Sequence, residues 1–277
     1  MRLGVRAHDF GKLPVGELAG RIAGKGFSCV QLAPPKAIAG FDTDLGRLSS
    51  DFACHVREAF RRQDLQIAVL GCYINLADPD AGQRQRLVAR FKKYLRYARN
   101  FGCSIVGTET GSLNSDFSFH LENRSEKAFQ TVLGSVREMV AEAERCGVFV
   151  GIEGVERYVI SDPPRIRRLI DSIGSNNLQI IFDPVNLLSV ENYRRQDAII
   201  TESFELFGDR IAILHAKDFV VAGGGLRSVL AGQGLLNYRL LSDLTRARQP
   251  GINIIMEDTQ PETVEDGVRF LRGLFSA

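Results

Sequence analysis

Four side chains that can bind metal or transfer protons stand at the ends of short apolar runs in the second half of the chain. The runs end in Glu153, Asp183, His215 and Glu257, which are spaced by 30, 32 and 42 residues. Each interval has room for one strand, one helix and two loops. If these strands are parallel neighbours, their carboxyl ends meet at one edge of the sheet and bring the four side chains together.

The types of these four residues indicate a metal site. Carboxylates that lie close together repel one another unless a cation lies between them. Oxygen ligands with one imidazole suit Mn²⁺, Mg²⁺ or Co²⁺, with Zn²⁺ also compatible, whereas a soft-metal site would include cysteine. One metal site explains four ligands in the same position of successive strands better than four unrelated polar strand ends do. We predict one divalent ion, with Mn²⁺ preferred.

The elements that position these residues alternate regularly between strand and helix. Apolar strands are predicted at eight segments, each followed by an amphipathic helix: 3–7, 27–32, 66–72, 104–108, 148–153, 178–183, 211–215 and 252–257. Such alternation indicates a parallel sheet covered by helices. Eight units in 277 residues predict an α/β fold, a single (β/α)₈ TIM barrel over residues 1–277. The glycine-rich segment 221–234 is predicted to be the longest irregular connection, either a mobile lid or a plain loop.

Composition and charge exclude several classes of function. A hydrophobic content of 44% and a charged content of 25% are typical of a soluble globular protein. The net charge is +2 and the basic residues are scattered outside the segment 84–99, so no nucleic-acid partner is expected. No apolar run reaches about 18 residues and no signal peptide is evident, so we expect no membrane span and a cytoplasmic location. The five cysteines show no pairing pattern and are expected to be reduced.

Five motifs resemble the xylose-isomerase-like TIM-barrel superfamily of sugar (phosphate) isomerases and epimerases, which also includes inosose dehydratases. They are Gly151-Ile152-Glu153, Phe182-Asp183-Pro184-Val185-Asn186, Leu214-His215-Ala216-Lys217-Asp218, Gly232-Gln233-Gly234 and Met256-Glu257-Asp258. The resemblance implies that the four strand-end residues bind one divalent ion. It also implies that Glu153 and Glu257 are acid/base groups on either side of an enediolate. A small carbohydrate substrate and a homodimer or homotetramer are further implications.

The implied chemistry agrees with elementary principles. A proton next to a carbonyl is too weakly acidic for an unaided carboxylate, and a metal ion stabilises the enediolate that forms. Two carboxylates on opposite faces give epimerisation, whereas one carboxylate on a single face gives isomerisation. Loss of a β-hydroxyl from the same intermediate gives dehydration. We therefore expect an isomerase or epimerase of a small sugar, sugar phosphate or polyol derivative, with a metal-dependent dehydratase as the alternative.

Six further polar residues are candidates for substrate binding because each lies at or shortly after the end of a predicted strand. They are Glu109, Glu156, Asn186, Lys217, His8 and Asn75. Two positions depart from the ketose 3-epimerases of the resembling superfamily: Asn186 replaces their usual histidine, and Val221 replaces their arginine. The substrate therefore stays open.

Two other classes of function are disfavoured. Phosphodiester hydrolysis, known from apurinic-site endonucleases with this barrel, needs a multi-zinc cluster with several more histidines, and this chain has four in all. A binding protein without catalysis would be expected to have lost metal ligands, and all four are present. An enzyme is the better interpretation.

Overall fold

The strands close into a parallel barrel. The computed structural model describes residues 2–41 and 48–275, and within those ranges there are ten strands: β1 (Arg2–Arg6), β2 (Cys29–Leu32), β3 (Gln66–Gly71), β4 (Ile105–Glu109), β5 (Phe149–Glu153), β6 (Leu178–Phe182), β7 (Ile211–Ala216), β8 (Asp218–Ala222), β9 (Gly225–Val229) and β10 (Asn253–Met256). All but β8 and β9 form one closed barrel, in which β10 pairs with both β7 and β1. The predicted (β/α)₈ TIM barrel is confirmed.

Helices cover the outside of the barrel. In the described residues they are α1 (Val15–Ala23), α2 (Pro34–Ala37), α3 (Ser50–Arg61), α4 (Ala81–Tyr97), α5 (Glu126–Cys146), α6 (Pro163–Ile173), α7 (Gln196–Phe207), α8 (Tyr238–Arg248) and α9 (Val264–Phe275). The long helices bury one apolar stripe each, as their period predicts. None of the helices in residues 2–41 and 48–275 is long and apolar enough to cross a membrane.

Helix α6 shows how local sequence sets the ends of an element. The Asp162 carboxylate accepts a hydrogen bond from the Arg165 amide at 2.9 Å, and Pro163 occupies the first turn, where no amide proton is needed. Gly174 ends the helix with a φ of +66°, a left-handed conformation that glycine adopts at little cost. The Asp162 cap therefore fixes the end of the loop that begins directly after Glu153, one of the four predicted ligands.

An apolar layer lies directly beneath the predicted ligands. Side chains two residues apart on a strand point to the same face, so each ligand stands above the residue two positions earlier: Gly151, Ile181, Ile213 and Ile255. The three isoleucines pack with Cys29, Val69 and Ile105 in one buried cluster. This layer of the barrel interior is therefore filled with apolar side chains, and the four predicted ligands lie above it at the carboxyl ends of the strands.

The structure corrects the prediction of an irregular segment 221–234. Strands β8 and β9 form an antiparallel hairpin over the first part of that segment, with register Asp218↔Val229 to Ala222↔Gly225. Gly223 and Gly224 both have positive φ, +60° and +76°, as a two-residue hairpin turn requires. The glycine pair was therefore a turn signal rather than a sign of irregular chain. A 3₁₀ helix (Ala7–Phe10) follows β1 directly, and α2 follows β2.

Candidate metal centre

The structure brings together the four residues that the sequence placed at strand ends. Glu153 is the last residue of β5, Asp183 follows β6, His215 lies in β7 and Glu257 follows β10. These strands are neighbours in the barrel, in the order β5, β6, β7, β10. One ligand atom from each side chain lies within 4.8 Å of those of the other three.

The surroundings of these atoms fit a cation. All four side chains are buried, with exposures from 0% to 4%. His215 Nδ1 lies 3.4 Å from Glu153 Oε1, 3.4 Å from Glu257 Oε1 and 3.8 Å from Asp183 Oδ2. Among the described residues, neither His215 Nδ1 nor Asp183 Oδ2 has a hydrogen-bond partner. Buried polar atoms are seldom left without a partner, so an imidazole nitrogen that faces three carboxylates indicates a position for a positive ion.

The charges of the cluster shift one another's pKa values. Burial would lower the pKa of His215, but the carboxylates of Glu257 and Glu153 outweigh it and raise that pKa to about 9. Burial raises the pKa of Glu153 above its ordinary value. Burial would also raise the pKa of Glu257, but the positive charges of His215 and Lys217 outweigh it and lower that pKa to about 2. The carboxylates thus favour the protonated form of the imidazole, and a bound metal ion would compete with that proton.

Two predicted substrate-binding residues contact the ligands directly. Lys217, 6% exposed, places Nζ 2.9 Å from Asp183 Oδ2 and 3.3 Å from Glu257 Oε2. Lys217 and Asp183 form an ion pair, but the angle between the ammonium group and the carboxylate is not that of a hydrogen bond. Asn186 Nδ2 donates a hydrogen bond to Glu153 Oε1 at 2.6 Å. Each of the two glutamates therefore has its own polar neighbour, which restricts its orientation.

A cavity of about 410 Å³ opens beside the cluster. Of the six predicted substrate-binding residues, five line it: His8, Glu109, Glu156, Asn186 and Lys217. The loops after β5 and β6 and the hairpin add an apolar wall of Val155, Val185, Leu188 and Leu226. The cavity thus combines polar groups with aliphatic surface, which suits a small polar molecule that also presents carbon–hydrogen faces.

The other predicted substrate-binding residues of the cavity, Glu109, His8 and Glu156, differ in pKa and in ion pairing. Glu109 pairs in register with Glu153 across β4 and β5, and burial, with the charge of Glu153, raises its pKa to about 7. Burial and the charge of Arg6 lower the pKa of His8 to about 3, so this imidazole is neutral. Glu156 forms an ion pair with Arg124 at the edge of the cavity.

Asn75 is placed elsewhere. It is 2% exposed, and it is not among the described residues that line the cavity. Its Nδ2 donates to the Ser112 carbonyl oxygen at 2.8 Å, and its Oδ1 accepts from the amides of Ala77 and Ser112, each at 3.1 Å. Because main-chain groups occupy both ends of the amide, the structure gives Asn75 a role in holding two loops together rather than a place against a substrate.

Sequence reasoning missed the contribution of the first strands. Arg6, the last residue of β1, places Nη1 3.7 Å from Glu257 Oε2 and donates from Nη2 to Asp258 Oδ1 at 2.6 Å. Gln31 in β2 contacts Glu257 and His215. A charged or amide residue near the end of an otherwise apolar strand was the available signal. The predictions selected polar residues at or after strand ends, and they passed over Arg6 and Gln31, which lie within the predicted strands 3–7 and 27–32.

Comparison with known proteins identifies the family. The family model described as Xylose isomerase-like TIM barrel matches residues 20–274. The chain belongs to that family. It is 27% identical over 177 residues to a D-psicose 3-epimerase of Enterocloster bolteae, a match that covers 60% of this chain and 55% of that protein. The chain therefore matches only about half the length of this curated relative.

Solved structures share the fold over the whole chain. A D-tagatose 3-epimerase-like protein has a TM-score of 0.79 at 17% identity, covering 100% of this chain and 97% of that one. The probable 3-DHS dehydratase AsbF of Bacillus anthracis has a TM-score of 0.75 at 15% identity, covering 98% of each chain. At such identities the likeness shows the fold alone, and the reaction depends on the residues of the site.

Proposed function

We propose that this protein is a divalent-metal-dependent epimerase or isomerase of a small sugar, sugar phosphate or polyol derivative. The observation that carries the proposal is the order of the ligands around the barrel. Glu153 and Glu257 come from the two outer strands of a run of four, with Asp183 and His215 between them. Two buried carboxylates thus stand on either side of one centre, as the removal and return of a proton on opposite faces require.

The metal would be held by Glu153, Asp183, His215 and Glu257. Three carboxylates and one imidazole suit Mn²⁺ first, with Mg²⁺, Co²⁺ or Zn²⁺ compatible. When bound, the ion supplies Lewis-acid stabilisation of the negative charge that develops next to a substrate carbonyl.

The protein's own residues would perform the proton transfers. One glutamate removes the proton next to the carbonyl, and the other returns a proton to the opposite face of the enediolate. Asn186, which donates to Glu153, and Lys217, beside Glu257, hold the two carboxylates in place. Such fixed orientation matters because proton transfer requires the two atoms within hydrogen-bond distance.

The other lining residues would select the substrate. Glu109 and Glu156 can accept hydrogen bonds from hydroxyl groups, and neutral His8 can donate or accept one. The aliphatic wall that includes Val155 and Leu226 would cover the carbon–hydrogen face of the substrate and exclude water from it.

Proton exchange with solvent tests the proposal. The Mn²⁺-loaded protein is incubated in D₂O with a panel of ketoses, ketose phosphates and inososes, and ¹H NMR follows the signal next to the carbonyl. We expect deuterium incorporation and formation of an epimer or aldose with at least one compound. Glu153→Gln and Glu257→Gln should each abolish product formation, whereas Glu205→Gln on the exposed face of α7 should not.

Two outcomes would change the assignment. Full product formation by both active-site variants would remove the two glutamates as acid/base groups and contradict the proposal. Loss of water from a substrate, in place of epimer formation, would assign the dehydratase alternative.

A further inference from the structure

One buried amide links the second strand to the metal ligands. Gln31 lies in β2 and is 1% exposed. Its Oε1 lies 3.0 Å from His215 Nε2. Its Nε2 donates to Tyr73 Oη at 2.6 Å and to Glu257 Oε1 at 3.3 Å. The amide oxygen and both amide protons are therefore used.

These partners determine which way the amide points. A carboxylate only accepts hydrogen bonds, so the side of the amide that faces Glu257 must be the NH₂ group. The oxygen then faces His215 Nε2 and can bond to it only if that nitrogen carries a proton. A neutral His215 consequently has its lone pair on Nδ1, the atom that faces Glu153 and Asp183.

We propose that Gln31 is a positioning residue of the metal centre. It fixes the ring orientation and tautomer of His215 so that Nδ1 is the ligand atom, and it holds one oxygen of Glu257. The inference rests on the metal-binding part of the proposed function and not on the reaction. As a neutral amide, Gln31 provides the acceptor without adding a fourth carboxylate to a cluster that already contains three.

Metal affinity tests the role of the amide. The dissociation constant for Zn²⁺ is measured by competition with a chelator for the wild type, Gln31→Met, Gln31→Glu and the control Gln179→Met. Partners that orient a metal ligand typically change affinity about 10- to 100-fold, so Gln31→Met should weaken binding by that factor. Gln31→Glu still offers an acceptor to His215 Nε2 and should bind more tightly than Gln31→Met. Gln179, which lies in β6, donates a hydrogen bond to the Asn176 carbonyl oxygen. Replacing Gln179 with methionine should leave the affinity for Zn²⁺ unchanged.

A spectroscopic measurement on the wild type does not depend on how the variants fold. Long-range ¹H–¹⁵N correlation of the Zn²⁺-loaded protein reports which imidazole nitrogen is protonated, and the spectrum of His215→Gln assigns the signals. We expect a proton on Nε2 of His215 and none on Nδ1.

The results separate the inference from the proposed function. The opposite tautomer, or a Gln31→Met affinity within about twofold of the wild type, overturns the inference while the metal site stands. A wild type that binds no divalent ion contradicts both.

Discussion

Replacing Lys217 with methionine removes a buried cation beside the candidate metal site. Lys217 Nζ lies 2.9 Å from Asp183 Oδ2 and 3.3 Å from Glu257 Oε2, and the residue is 6% exposed. Burial would lower the pKa of Lys217, but the charges of Asp183 and Glu257 outweigh it and hold it above the ordinary value. Methionine keeps most of the unbranched length of lysine, so Lys217→Met changes mainly the charge.

The size of the effect follows from these distances. Two unit charges 2.9 Å apart attract by about 6 kcal/mol at an effective dielectric constant near 20, before the cost of removing them from water. Removing one partner of a buried pair typically costs about 3–5 kcal/mol, because the other charge stays buried. We expect the metal-free variant to lose that amount of unfolding free energy. The loss should be smaller with metal bound, because the ion neutralises the same carboxylates.

Urea unfolding followed by circular dichroism measures this difference. Wild type and Lys217→Met are compared without metal and in saturating Mn²⁺. The control is Lys25→Met, which removes a lysine that is 2.8 Å from Glu265 but lies in a solvent-exposed pair, worth at most about 1 kcal/mol. A loss below about 1 kcal/mol in metal-free Lys217→Met, or an equal loss with and without metal, would refute the reasoning.

Three further perturbations test the charges and the packing. The pKa of His215 is raised to about 9 in the folded protein without metal, so the contribution of its protonation to the free energy of unfolding is complete below pH 6.5 and is lost as the pH rises through 9. Urea unfolding of the protein without metal should show this decline. A free energy of unfolding that rises over that pH range would contradict it. Burial raises the pKa of Cys72 to about 12. A thiol reagent at pH 8 should therefore modify half-buried Cys54 and spare Cys72 until the protein unfolds. Rapid modification of both cysteines would be inconsistent with the structure. A Cβ at Gly107 would lie 2.7 Å from Ile181 Cδ1, which is a steric clash. Gly107→Ala should therefore lower the free energy of unfolding by about 1–3 kcal/mol. An unchanged free energy of unfolding would argue against that packing.

The metal centre was predictable because its signal is local. Each ligand directly follows or ends an apolar run, and parallel strands bring such positions to one edge of a barrel. Nothing beyond strand type and spacing was needed to place Glu153, Asp183, His215 and Glu257 together. The hairpin of β8 and β9 was missed although it also had a local signal, the pair Gly223-Gly224.

The roles of single polar side chains were not predictable in the same way. Gln31 reaches His215 only because the closed barrel brings together strands that lie 184 residues apart in the chain. Asn75 lies shortly after a predicted strand, as the other substrate-binding candidates do, but main-chain groups of the next loop occupy its amide. Lys217 lies two residues after His215 in the sequence, and its ion pairs depend on the direction in which its long side chain folds back. Such contacts depend on loop geometry and side-chain conformation, which a single sequence does not determine.

The metal content of the purified protein tests the central claim most directly. Wild type and the double variant Asp183→Ala, His215→Ala are incubated with Mn²⁺, dialysed, checked for folding by circular dichroism and submitted to elemental analysis. The four-residue cluster predicts one divalent ion per chain in the wild type and none in the folded double variant. A wild type that holds no ion after this treatment, or a double variant that holds as much as the wild type, would contradict the assignment of the metal centre.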